Sequence, residues 1–461
     1  MKMIYSSLLF IYGFLPVSML IYHLSPKKSQ PAVMLGLSAA FSAMIGLRYL
    51  AFVSIYVLIN YASTRLIGHY RSKKEISLPV FSFAVFCDLI SLFVFRTDLF
   101  SEVRLSLGFP ETFFPIGISF LALSAIGMLV DVYSGKIEAE RNIILFSLYM
   151  IFFPRLIMGP ILRYNSFRKA MEGRKTDLSE IGVGLTIFVK GLAKKIIAAD
   201  TLYQLYTAAH STSLKEMSSL TAWLGMIAYV MCLYFTLSGF ADMGTGVSYC
   251  FGIKMPQSFN YPLFSTKIRY FAARWHIQLI QWMRRYVTKP LFSRFSNNVL
   301  RRLIYIGVWG LFGFWYTFSA NGLIWGLLLG AGITLENKLS SAKLLNVTGI
   351  IYTFFAVMIC FVFFSGESLS YSLRYIGVMA GGGANFADTF SLYLLKSYIV
   401  VLLIGMYAST DLFKNMMMRS GKNKVRTAVS VISPVMVLSL LIVCTALISY
   451  SGSSEMILVR L

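Results

Sequence analysis

The chain holds four imidazoles, His23, His69, His210 and His276. Histidine titrates near neutrality, so it is the side chain best suited to take a proton from a hydroxyl at physiological pH. His23, His69 and His210 stand near loops or the ends of apolar runs, with no motif around them. His276 has a different setting. It lies within residues 255–300, a stretch too polar to cross a bilayer directly, which carries Lys267, Arg269, Arg274, Arg284, Arg285 and Lys289 interleaved with Phe271, Trp275, Trp282 and Tyr286. On one continuous helix, Arg274, Gln278, Gln281 and Arg285 share a face, and Trp275, Leu279 and Trp282 share a neighbouring apolar face. Such a segment lies flat at a membrane interface with its rings among the headgroups, or dips into a bundle so that its charges line a polar cavity.

Other polar residues sit inside apolar surroundings. Asp242 is costly in lipid and needs a partner or a cavity. Asn321 can donate to a carbonyl of a substrate or tie two helices together. Arg163 suits an interfacial anchor or a contact to a donor phosphate. The cysteines Cys87, Cys232, Cys250, Cys360 and Cys444 lie in or beside apolar runs without CxxC spacing, so they read as small core residues, and no metal site is expected.

The elements that must position these residues follow from composition. Of 461 residues, 57% are hydrophobic and 13% charged. That is too apolar for a disordered chain and too poorly charged to cover a soluble protein of this length. The expectation is an all-α polytopic membrane protein of ten to thirteen helices in one bundle. Apolar stretches run near 4–22, 32–62, 78–97, 112–134, 142–163, 180–200, 218–252, 299–335, 345–365, 390–409 and 427–450, and the stretches 32–62, 218–252 and 299–335 are long enough for two helices each. The first stretch reads as a retained helix rather than a cleaved signal. Lys and Arg outnumber Asp and Glu by 42 to 19, a net charge of +23. Most of that charge falls in short loops, which fits cytoplasmic loops and anionic headgroups and argues against nucleic acid as a partner.

Arg65, Arg71, Lys73 and Lys74 mark one cytoplasmic loop, and Lys414, Arg419, Lys422, Lys424 and Arg426 another. Residues 98–111, with Arg104 as their one basic residue, are expected outside. Lys27 and Lys28 break a simple alternation. Phe153-Pro154-Arg155 and Met158-Gly159-Pro160 interrupt one apolar run, which is expected either to kink or to pack its broken backbone against protein.

The order of motifs resembles the membrane-bound O-acyltransferases, in particular their alginate O-acetylase branch. The resemblance rests on Phe114-Pro115-Ile116-Gly117-Ile118-Ser119-Phe120, Val130-Asp131-Val132-Tyr133-Ser134-Gly135 and the run from Phe153 to Tyr164. It continues through Gly191-Leu192-Ala193-Lys194-Lys195, Ala199-Asp200, Ser238-Gly239-Phe240-Ala241-Asp242-Met243 and Phe259-Asn260-Tyr261-Pro262. Arg274-Trp275-His276, with Trp282 and Arg284, and Phe363-Phe364-Ser365-Gly366-Glu367-Ser368 complete it. The matches span roughly residues 110–370.

The resemblance implies a helical bundle around a funnel or tunnel, sitting in a bacterial cytoplasmic (inner) membrane. It implies no bound cofactor, an acyl donor such as a thioester as co-substrate, and an extracytoplasmic glycan or polymer as acceptor, with membrane lipid around the bundle and a periplasmic or extracellular partner protein. The family's usual base is the histidine of a Trp-His-Gly motif. Here Trp315 and Trp325-Gly326 keep the register, so that position is Tyr316, and a second family histidine falls on Leu329. An Arg-Asp-Tyr triplet of relatives reads Arg284-Arg285-Tyr286. The resemblance therefore points to a site reorganised around His276 and Tyr316 as catalytic residues, with Arg274, Asn321, Asp242, Trp315 and Arg285 binding substrate. The alternative is a degenerate member that serves as a scaffold or donor conduit for a partner.

Overall fold

A computed structural model describes residues 4–106, 109, 115, 117–174, 177–338, 346–411 and 423–451. Among these residues every regular element is helical. Six helices are long and apolar enough to cross a membrane, and five shorter apolar helices accompany them. The chain divides into two compact units, residues 1–191 with 240–257 and residues 192–239 with 258–461.

The first unit contains α1 (Leu15–Leu24), α2 (Gln30–Ile45), α3 (Leu47–His69), α4 (Lys74–Arg96), α5 (Ser101–Ser106), α6 (Ile118–Tyr133), α7 (Ile143–Ile151), α8 (Phe153–Leu156), α9 (Tyr164–Glu172) and most of α10 (Leu178–Ala193). Long apolar side chains point outward, as a lipid-facing surface requires: on α4, Phe83 and Phe86 are exposed while Ala84, Asp88 and Leu92 are buried at helical spacing. The stretch 32–62 is two helices, broken at Gly46. That break restores the alternation. Arg174, just past α9, reaches back to the carbonyl of Lys27 and the side chain of Gln30. On α9 itself, Tyr164 and Arg168 approach Glu140, while Tyr61 and Arg65 near the end of α3 donate to the carbonyls of Arg141 and Ala139. Lys27, Arg65 and the 134–142 loop thus share one end of the unit.

Pro154 breaks the run 142–163 into α7, α8 and an irregular tail that is buried as far as Leu162, with Arg163 exposed at its end. The freed backbone groups find protein partners. Buried Arg155 donates to the Tyr149 carbonyl and lies 4.7 Å over its ring, Ser38 accepts from the Phe153 amide, and the Tyr5 and Tyr149 hydroxyls donate to the carbonyls of Phe153 and Leu162. This is the packed-backbone alternative, in which protein supplies what lipid cannot. Gly117, which precedes α6 with φ 76°, is required there, because a Cβ would stand 1.8 Å from the Leu156 carbonyl oxygen. The first four residues of the motif beginning at Phe114 include Phe114 and Ile116, which lie outside the described residues, as do Lys414, Arg419 and Lys422.

The second unit contains α11 (Asp200–His210), the first part of α12 (Ser219–Cys250), α13 (Ile268–Arg274), α14 (Ile277–Met283), α15 (Lys289–Arg294), α16 (Asn298–Thr317), α17 (Ala320–Lys338), α18 (Asn346–Ser365), α19 (Leu369–Gly377), α20 (Thr389–Ala408) and α21 (Asn423–Ser451). The stretch 299–335 is an antiparallel pair, α16 and α17, but 218–252 is one helix of 32 residues rather than two.

Candidate functional site

Between Asp242 and Glu336 the chain carries no acidic residue, while Lys267 to Arg302 supply nine cations. Backbone bonds and a carboxylate distant in sequence are among the anchors of the polar segment that holds His276. Glu336, on α17, accepts from the amides of Ile268 (3.0 Å) and Arg269 (3.1 Å) and so caps the start of α13. A carboxylate at a helix N-terminus satisfies orphan amides and opposes the helix dipole.

The expected continuous helix over 274–285 does not form. It breaks at Trp275 and His276, so Arg274 belongs to α13 and Gln278 and Gln281 to α14, and the shared polar face is lost. The cause is a brace from residues 258–260. The Asn260 amide donates to the Arg274 carbonyl at 3.0 Å, and the Ile277 amide donates to the Ser258 carbonyl at 2.8 Å. Accommodating both bonds drives His276 into the left-handed region, at φ 43°, and Tyr261 in the same brace also has positive φ (49°). Such backbone is uncommon outside glycine and persists only where the surroundings hold it.

The brace also buries the imidazole. His276 is 1% exposed, and its ring meets Phe259 edge-on at 5.3 Å. Burial pushes its pKa down to about 4, which leaves the ring neutral at physiological pH. Ile268, Phe271, Ala272, Trp275 and Leu279 are buried with it, whereas Arg284, Lys289, Arg294 and Arg302 are exposed. The polar segment thus has two parts: its first half packs inside the second unit and its second half lies at the surface.

Tyr316 comes from the last turn of α16 and is 5% exposed. Its ring stands 6.3 Å from that of His276 at 83°, and it packs against Phe312, Trp315, Trp325 and Phe364. The α16–α17 pair is unusually close because glycines line it. A Cβ on Gly313 would lie 2.0 Å from the Gly322 carbonyl oxygen, and one on Gly326 would lie 2.0 Å from that of Trp309. Small residues allow such an approach between helices in lipid. Leu329 is buried on α17.

The remaining residues singled out from the sequence distribute as follows. Asn321 donates its side-chain amide to the Gly366 carbonyl, tying the start of α17 to the end of α18. Arg274 and Trp315 are half-buried in the second unit, and Arg285 is half-buried with its guanidinium 5.7 Å from the Tyr286 ring. Asp242 is half-buried on α12 and belongs to the first unit. His23 is bound to the Cys250 carbonyl at 2.9 Å, and His210 to that of Tyr206 at 3.0 Å. Glu336 and the glycines of α16–α17 went unmarked in the sequence reading. Their signals were present: a lone acid ending a long cationic stretch, and glycines recurring at helical spacing.

A family model described as MBOAT, membrane-bound O-acyltransferase family, matches residues 34–373. The chain is 30% identical over 432 residues to a protein of Azotobacter vinelandii named "Probable alginate O-acetylase", covering 87% of this chain and 85% of the relative. It is 26% identical over 426 residues to the "Peptidoglycan O-acetyltransferase" of Helicobacter pylori, covering 82% and 80%. It is also 28% identical over 398 residues to the "Teichoic acid D-alanyltransferase" of Bacillus subtilis, covering 79% and 98%.

Proposed function

Since the chain belongs to the membrane-bound O-acyltransferase family, we propose that it transfers an acyl group, acetyl foremost, to hydroxyls of a cell-surface polysaccharide or related polymer. The names of its relatives support this reading, for each describes acyl transfer to such a polymer. The donor is an acyl thioester presented from the cytoplasmic side of a bacterial inner membrane, and an extracytoplasmic protein receives or places the acceptor. The protein itself is a multi-pass integral membrane protein.

One observation carries the choice of residues: a buried histidine in a strained, braced break, with its ring beside that of Tyr316. In this reading neutral His276 accepts the proton of the acceptor hydroxyl as its oxygen attacks the thioester carbon. Tyr316 donates to the carbonyl oxygen as negative charge gathers there. The C–O bond forms, the C–S bond breaks, and the imidazole returns the proton to the departing thiolate. Arg274 and Arg285 hold anionic parts of the donor, and the rings around Tyr316 exclude water.

The test is polymer acylation in membranes carrying His276→Asn, Tyr316→Phe or the deletion. Losing the base is expected to cost about 10²–10⁴-fold in rate, and losing the oxyanion donor about 10²–10³-fold, with folded protein retained in both. If both variants acylate normally while the deletion abolishes acylation, the protein is a scaffold and the assignment of these residues fails.

A further inference from the structure

Six side chains of the second unit close a circuit of ring contacts. Between centroids, His276 meets Tyr316 at 6.3 Å, Tyr316 meets Trp325 at 6.0 Å, and Trp325 meets Phe361 at 5.4 Å. Phe361 meets Trp275 at 5.6 Å, Trp275 meets Phe259 at 5.4 Å, and Phe259 returns to His276 at 5.3 Å. The members come from the brace, the break before α14, and helices α16, α17 and α18, and all six are buried. The chemistry proposed above uses two of them, His276 and Tyr316.

Of the other four, two carry a polar atom. Trp325 is 1% exposed and Trp275 2%, yet neither indole N–H has a hydrogen-bond partner among the described residues. A buried indole usually finds one, and the same unit supplies one elsewhere: Trp223 donates to the Met379 carbonyl at 3.0 Å. Burying a donor unmade is costly, and phenylalanine, which already serves at 259 and 361 in this circuit, would avoid that cost. An indole N–H donates and cannot accept, so what completes each is an acceptor atom. Both donors belong to the circuit that holds the proposed base and oxyanion donor.

We propose that the indole N–H groups of Trp325 and Trp275 bind carbonyl oxygens of the acyl donor. The inference rests on the acyl-transfer reading of His276 and Tyr316 and deepens it. Trp325 adjoins Tyr316, so it takes the thioester oxygen and shares with Tyr316 the negative charge that gathers there as the C–O bond forms. Trp275, across Phe361, takes a second carbonyl on the arm that carries the acyl group. The substrate class is therefore an acyl thioester on an amide-bearing arm.

The full-length protein tests this in its own membranes, with each tryptophan replaced by 3-benzothienylalanine, which keeps the two fused rings and puts sulfur in place of N–H. Because no protein partner is lost, the melting temperature should hold or rise. Polymer acylation per unit of folded protein should fall about 10²-fold or more at position 325 and about tenfold at 275. Trp325→Phe should lose activity in step with the benzothienyl variant. Benzothienyl variants that acylate like wild type, while His276→Asn and Tyr316→Phe lose activity, would overturn the inference and leave the acyl-transfer reading standing. If all four acylate normally, that reading fails too. A lower melting temperature with acylation unchanged would also overturn the inference, since the N–H groups would then be structural.

Discussion

The closeness of α16 and α17 makes a sharp prediction about Gly313. A methyl group there would stand 2.0 Å from the Gly322 carbonyl oxygen, where ordinary contact begins at 3.4 Å. The helices must part or rotate by about 1 Å or more to admit it. Overpacking of this kind costs about 1–3 kcal/mol, so Gly313→Ala should lower the melting temperature by several degrees. The larger effect is on chemistry. Tyr316 lies three residues on, in the same helix, and a shift of about 1 Å in a reacting group can cost about 10²-fold in rate. Gly307→Ala is the control. It sits on the same helix with nothing within 4 Å of the added carbon, and it should gain about 1 kcal/mol of helix propensity. The assay is acyl incorporation into polymer per unit of folded protein, alongside a melt. If Gly313→Ala acylates as well as Gly307→Ala, the pair does not position Tyr316 for catalysis.

Two further outcomes follow from the polar segment. Burial holds His276 near pKa 4, against about 6.5 when unfolded. The unfolded chain therefore takes up this proton first, and stability is lost as pH falls from about 6.5 towards 4, by at most ~3 kcal/mol. His276→Asn, which tolerates left-handed backbone, should flatten that part of the melting-temperature profile, and an unchanged slope would place the acid sensitivity elsewhere. Glu336→Ala removes the cap on α13 and should cost about 1 kcal/mol together with acylation activity. Glu336→Gln, which still offers an acceptor, should fall between it and wild type, and equal loss in both variants would mean that charge, not capping, is what Glu336 supplies.

Composition was enough to read an all-helical, multi-pass membrane chain. Lys27 and Lys28 seemed misplaced only because one glycine, Gly46, hides a break inside an apolar run; once α2 and α3 are separate, they fall into line. The opposite error occurred at α12, where length suggested two helices but no proline or unpaired turn interrupts the 32 residues. The break at His276 was illegible for a different reason. Trp275 and His276 carry no turn signal, and the bend is imposed by backbone bonds from residues 258–260, a tertiary effect that no local pattern encodes. Arg274 and Arg285 were expected on one face for the same reason. The neighbourhood of His276 and Tyr316 followed from motif order, whereas Glu336, 60 residues from the imidazole it helps to place, did not.

That distant cap has a consequence for biogenesis. Proteins are made from the N-terminus, so a nascent chain lengthens past nine cations before the ribosome adds the next acid, the one that caps α13. Until residue 336 emerges, α13 has no lid on its amides, and the stretch it begins has reason to linger near the insertion machinery. A stop codon just upstream of that glutamate should leave a longer-lived, protease-sensitive translocon adduct than one placed just after α17.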